Sequence, residues 1–135
     1  NNMATTTATL TISSADLTSN PLAITTSSTL YKAGTTIGLE QTTGLSKKVY
    51  AAAQSNTTLI SAGDYADDTH SRVYIRNSGS SSTAYFTIEL GASNITLGRL
   101  YGGDFLFIPY EGEQDIDISS SDTNMELEFM VINEG

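Results

Sequence analysis

The sequence predicts an all-β fold: an antiparallel β-sandwich, jelly-roll-like with an immunoglobulin-like sandwich as the alternative, preceded by an extended N-terminal arm. Three observations carry this. Side chains in the centre and the C-terminal half alternate apolar and polar with period two. Turn-forming clusters recur at roughly the 8–12-residue spacing of short-stranded sandwiches. No apolar pattern at helical spacing extends to three turns. The composition agrees: of 135 residues 39% are hydrophobic and only 16% charged, while 17 Ser and 20 Thr stand where charge usually does. A coiled coil or helical bundle is excluded on that ground, and no apolar run approaches the ~20 residues of a membrane-spanning helix.

Residues 1–20 read as the arm and 21–135 as one sandwich domain. Between Ala4 and Asn20 the large apolar groups are Leu10, Ile12 and Leu17, too few to offset the ordering entropy of the segment by burial. The β-branched threonines suit an extended backbone. The arm is therefore expected to become ordered by pairing, either with the domain's own sheet edge or with a neighbouring subunit. Leu22-Ala23-Ile24, Thr29-Leu30-Tyr31, Val49-Tyr50 and Thr58-Leu59-Ile60 read as short strands, Ala51–Gln54 as one helical turn, and Gly63–Thr69 as a loop.

The second half is more regular. Val73 and Ile75 share one face opposite Arg72, Tyr74 and Arg76; Phe86, Ile88 and Leu90 share a face opposite Tyr85, Thr87 and Glu89. With the Asn77–Thr83 loop between them, these runs read as a hairpin pairing Val73 with Ile88 and Ile75 with Phe86, which sets Arg72 opposite Glu89. Arg99-Leu100-Tyr101 leads through Gly102-Gly103-Asp104, a second hairpin-like turn, into Phe105–Ile108, expected to be covered on both faces. Pro109 should end the pairing or lie at a sheet edge. Glu111–Gln114 is a turn, and Asp115–Ile118 turns its isoleucines inward. In Met125–Ile132, Met125, Leu127, Phe129 and Val131 form the inner row and Glu126 and Glu128 the outer one. Met130 and Ile132 make the end of that strand apolar on both sides, so something must cover it.

Few residues invite catalytic chemistry. With no Cys and one His, thiolate and multi-histidine metal centres are excluded. His70 lies in sequence near Asp67, Asp68, Ser71 and Ser78, but no nucleophile-elbow turn accompanies it. Asp64, Asp67 and Asp68 lack the spacing of a calcium loop, and Gly102-Gly103-Asp104 lacks the lysine and helix of a phosphate cradle. Glu111, Glu113, Asp115 and Asp117 at period two would place carboxylates on one strand face, either as a solvated face that discourages edge aggregation or as a patch for a basic partner. Tyr74, Tyr85 and Tyr101, with Tyr110 near a loop, could form a sugar-stacking face. The expectation is a non-enzyme with no catalytic, metal or cofactor residues. The net charge of −9 disfavours nucleic acid and anionic membranes as partners. Asn1–Thr5 has no basic or apolar leader character, so Met3-Ala4 reads as an initiation site, with a cleaved pro-segment as the alternative, and synthesis in a cytoplasm is the expectation.

The stretches Met3-Ala4-Thr5-Thr6-Thr7 through Leu22-Ala23-Ile24 and Gly98–Tyr110, with its G-D-F-x-F-I-P-aromatic strand, resemble small virion proteins of tailed bacteriophages, particularly those of marine bacteria and cyanobacteria. The resemblance implies a structural role in the particle: a capsid decoration (cement) protein that binds and stabilises the head shell, or a head-fibre, neck or tail component. It implies no catalytic residues. Its implied partners are the major capsid protein or other virion proteins, and copies of itself, trimers being usual among decoration proteins. A receptor- or carbohydrate-binding module of a fibre is the rival reading. The residues expected to meet a partner or subunit are Leu10, Ile12 and Leu17 of the arm and Met130 and Ile132 of the last strand.

Overall fold

The computed structural model describes residues 5–133 apart from 32–33, 37, 40 and 66–70. Eleven strands run antiparallel to their neighbours: β1 Thr7–Ser14, β2 Leu22–Thr29, β3 Gln41–Thr42, β4 Ser46–Tyr50, β5 Thr57–Ile60, β6 Ser71–Asn77, β7 Tyr85–Leu90, β8 Ile95–Tyr101, β9 Phe105–Tyr110, β10 Ile116–Ser120 and β11 Met125–Asn133. Among the described residues there is no helix, and Ala51–Gln54 is a bend rather than the expected helical turn. Hydroxyls supplied by this stretch's surroundings explain the difference: Ser120 Oγ accepts from Gln54 N at 2.7 Å and Ser119 Oγ from Asn56 N at 2.9 Å, tying it to β10.

Two sheets face each other. The smaller has the order β5-β10-β7-β8; in the larger β9 pairs with β6, β6 with β11, and β3 and β4 both lie on the far edge of β11. β3 and β4 are consecutive lengths of one edge. Between them Gly44 takes φ +73°, and Thr43 bonds Val131 through its backbone and its Oγ1.

The core fills from both inner faces. Val73, Ile75, Leu127 and Val131 of the larger sheet and Phe86, Ile88, Ile116 and Ile118 of the smaller are all buried in one cluster. The inner rows are those the periodicity predicts, and Pro109 does lie on the edge strand β9. The expected hairpin does not exist. β6 and β7 belong to opposite sheets, so Val73 and Ile75 meet Phe86 and Ile88 across the core rather than across a ladder. Arg72 instead stands opposite Pro109 and Ile132, and Glu89 opposite Asp117 and Thr96. β8 and β9 likewise lie in different sheets, so Gly102-Gly103-Asp104 is an arch, not a hairpin turn.

The two arches run side by side and are stitched by Asn77, a buried residue at the inward end of β6. Its N–H donates to Asp104 O and its carbonyl accepts from Gly103 N; its Nδ2 donates to Leu100 O and its Oδ1 accepts from Gly79 N, all at 2.9–3.0 Å. One side chain thereby satisfies backbone groups that the change of sheet leaves without a ladder.

Tyr50 packs edge-on against Phe86, ring centroids 6.1 Å apart. Its hydroxyl is buried without a hydrogen bond, and burial raises its pKa. The pKa of Tyr65 is raised by burial and then by Asp64, and that of Tyr74 by burial and then by its bond to Glu128. A folded state that resists ionisation keeps its full stability below the ordinary tyrosine value near 10 and loses it as pH rises past that value, because the unfolded chain ionises first. Urea unfolding of Tyr50→Phe is expected to show unchanged or slightly higher stability at neutral pH, within about 1 kcal/mol, and a shallower loss as pH rises past the ordinary tyrosine value. A neutral-pH loss well above 1 kcal/mol would show that the hydroxyl has a partner.

Candidate interaction surface

β1 and β2 form a separate two-stranded ribbon, paired in full register from Thr7↔Thr29 to Ser14↔Leu22. Register and alternation sort its side chains. Ala8, Leu10 and Ile12 lie with Leu22 and Ile24 on one face, while Thr7, Thr9 and Thr11 lie with Thr25, Ser27 and Thr29 on the other, where Thr9 and Ser27 hydroxyls bond at 2.9 Å. The tip is closed by Ser14, whose Oγ accepts from the N–H groups of Asp16 and Leu17. The segment expected as an arm is therefore one half of a ribbon whose other half is Leu22–Thr29.

The ribbon is anchored at its root. Leu30 N donates to Thr6 O and Leu39 N to Leu30 O, and Leu30 and Leu39 are buried outside the sandwich cluster. Beyond the root, Leu10 is 42% and Ile12 44% exposed, with Ile24 similar and Leu17 at the tip more so. An isolated two-stranded ribbon is at best marginal in water, so an exposed aliphatic face along one is an unfinished packing surface.

The ribbon's aliphatic row opens toward the outer face of the larger sheet. Ala8, Thr9 and Leu10 line a cleft of about 360 Å³ with Tyr74, Phe105, Leu106 and Phe107. The cross-strand rows place Phe107 next to Tyr74 and Tyr74 next to Met130, and Pro109 next to Arg72 and Arg72 next to Ile132. Met130 and Ile132 thus lie half-buried in the outer row of β11, while Leu10 and Ile12 lie on the ribbon and Leu17 at its tip. Phe105, expected to be covered, is 58% exposed, and Phe107 is exposed too, because β9 is an edge strand with only its Leu106–Ile108 row turned to the core. Ile24, Phe105 and Phe107 are not among the residues expected from sequence to meet a partner, because Phe105–Ile108 reads as one continuous apolar run. The polar part of this face is internally paired: Tyr74 OH donates to Glu128 at 2.9 Å, Arg76 lies 3.7 Å from Glu128, and Lys47 lies 3.4 Å from Glu126. Such exposed pairs add little stability.

The remaining candidates separate. The Tyr85 and Tyr101 rings lie 5.1 Å apart, tilted by 51°, on the smaller sheet, with the Arg99 guanidinium 4.2 Å above the Tyr85 ring. Tyr74 is on the other sheet and Tyr110 is buried, its hydroxyl donating to Gln114 O, so the four tyrosines share no face. The acidic run divides as well. Glu111 and Glu113 lie in the turn before β10, Asp115 accepts from Ala62 N at 2.7 Å, and Asp117 is buried. Its period-two spacing belongs only in part to a strand. His70, Asp67 and Asp68 lie outside the described residues. Among those described, no three acidic or histidine side chains converge as metal ligands, and no helix is long and apolar enough to cross a membrane. Neither a protein-family model, a curated protein nor a solved structure matches the chain.

Proposed function

We propose that this chain is a non-enzymatic structural protein of a phage virion, a capsid decoration protein that engages the head shell or a neighbouring subunit through its ribbon. The observation that carries the reading is the ribbon itself: a rooted, in-register pair of strands whose row of Leu10, Ile12 and Ile24 stays open to solvent. Affinity at a particle surface comes from many copies acting together, so a modest patch on each subunit suffices. We further infer that β4–β11 form a jelly roll rather than an immunoglobulin-like sandwich. The order β4-β11-β6-β9 against β5-β10-β7-β8, with successive strands changing sheets, is that of two Greek keys. Capsid proteins and lectins both use that architecture, so it is compatible with the proposal without selecting it.

The test replaces Leu10, Ile12 and Ile24 together by serine and measures co-sedimentation with shells of the particle whose genome encodes the chain. Binding is expected to fall at least tenfold while circular dichroism and the native mass of the sandwich are retained; undiminished binding overturns the ribbon's role. The half-buried Tyr85–Tyr101 pair on the smaller sheet favours a receptor- or carbohydrate-binding module as the second reading. Arg99 already occupies one face of Tyr85, which leaves less ring for a sugar. A glycan array showing a saccharide preference that Tyr101→Ala abolishes would favour this second reading.

A further inference from the structure

The cleft between the ribbon and the larger sheet is bounded by two strand edges. Its walls are three consecutive residues of β1, Ala8, Thr9 and Leu10, and three of β9, Phe105, Leu106 and Phe107. Consecutive side chains of a strand point to opposite faces, so where both faces line one cleft, its border is the strand's edge. The two edges are open toward each other. β1 pairs with β2 and β9 with β6, and no ladder joins β1 to β9.

The ladders fix where the backbone groups point. Antiparallel pairs alternate between residues that exchange hydrogen bonds and residues whose N–H and C=O face away from the partner strand. At the ribbon's root Leu30 N donates to Thr6 O, one step before Thr7↔Thr29 in the register. Thr7, Thr9 and Thr11 therefore hold the non-bonded positions and turn their N–H and C=O away from β2. The 2.9 Å contact of the Thr9 and Ser27 hydroxyls fits the closer side-chain approach of such a pair. In the larger sheet Asn77 N donates to Asp104 O, one step before Arg76↔Phe105. Phe105, Phe107 and Pro109 are then the non-bonded positions of β9. Proline falls where the ladder asks for no N–H. Thr9 on one wall, and Phe105 and Phe107 on the other, thus present main-chain donors and acceptors to the cleft. Among the described residues, none of these three backbones bonds elsewhere.

We propose that this cleft is a strand-addition site, in which an extended segment of the head-shell protein inserts between β1 and β9 and joins ribbon and larger sheet into one continuous sheet. The proposal rests on the shell-binding reading above and names what the ribbon grips. Two facing strand edges are complementary to an extended chain, whose main-chain bonds supply affinity while pockets for alternate side chains supply selectivity. The occupant is uncharged, with apolar residues at alternate positions. Neither residues 5–14 nor β9 carries a charge in a chain of net −9, and Leu10, Tyr74, Phe105 and Phe107 line the walls. A second copy of this chain is a poor donor, because every strand among the described residues already has a ladder partner and would have to leave it.

The test measures amide hydrogen exchange of the full chain, free and bound to shells of the particle whose genome encodes it. On binding, residues 7–11 and 105–108 are expected to exchange at least about tenfold more slowly, while β8, on the other sheet, changes little. Thr9→Pro removes a cleft-facing N–H without touching the β1–β2 ladder, and should weaken co-sedimentation about tenfold. Ser27→Pro is the matched control. Ser27 stands opposite Thr9, its N–H points out from the far edge of β2, and binding should be kept. If Thr9→Pro fails to form the ribbon, exchange in the unmutated chain decides the matter. Binding that leaves the β9 amides unprotected, or equal losses in the two proline variants, would overturn strand addition and leave the shell-binding reading standing. No binding of the unmutated chain would overturn both.

Discussion

Replacing Phe86 by alanine is expected to remove about 4 kcal/mol of folding stability. The ring is fully buried at the centre of β7, between Leu100 of β8 and Ser120 of β10 in its own sheet, and it meets Tyr50 edge-on from the opposite sheet. Truncation forfeits the transfer energy of the ring and leaves a void bounded by two sheets that cannot close independently. A domain of this size has about 5–15 kcal/mol in total, so the variant should unfold at much lower urea with an unchanged slope. Phe105→Ala, on the exposed row of β9, is the control and should change stability by less than about 1 kcal/mol. Equal losses in the two variants would mean that the assigned core is wrong.

Gly102→Ala should also be strongly destabilising, for a different reason. A Cβ on Gly102 would lie 2.5 Å from Ser81 O, 2.7 Å from Ser81 N and 2.8 Å from the Ser80 carbonyl carbon. All three are backbone atoms of the neighbouring arch, and Gly102 N donates to that same Ser81 O. No rotamer change relieves the clash, so the arches must part and the bonds of Asn77 with them. The expected loss is about 3 kcal/mol or more, or failure to reach the native state. Gly103→Ala separates packing from backbone conformation. Gly103 has φ +89° but nothing near its absent Cβ, so only strain of about 1–2 kcal/mol is expected. Urea midpoints of the two variants settle the order; a milder effect at Gly102 would contradict the close approach of the arches.

Strand identity and facing were legible because alternation is a local property. The inner rows of β6, β7, β10 and β11 follow directly from Val73/Ile75, Phe86/Ile88, Ile116/Ile118 and Leu127/Val131. Partnership was not legible. Apolar rows that match across a ladder match equally well across a core, so the 73/75 and 86/88 pairs admit a hairpin and an arch alike. Asn77 held the discriminating signal: it continues the inward parity of Ser71, Val73 and Ile75, and an amide at that depth has to serve displaced backbone. The ribbon was half visible, since Leu10/Ile12 and Leu22/Ile24 are mirror-placed about the Ser14–Asn20 turn. Its low apolar content pointed to an arm because the partner segment was assigned to the domain. The burial of Glu89 and Asp117 had no sequence signal, because their rows read as solvent-facing.

The interleaving of strands between sheets also sets the order in which the molecule can form. Only β1–β2 and β7–β8 join neighbours along the chain; β4, by contrast, waits for β11, Tyr50 pairing with Met125 some 75 positions later. Such non-local closure slows folding toward the millisecond-to-second range. β3 and β4 have no other ladder partner, so during synthesis they stay open-edged until β11 has left the ribosome. Lys47 and Lys48 put charge on that waiting edge, which discourages it from pairing with other chains.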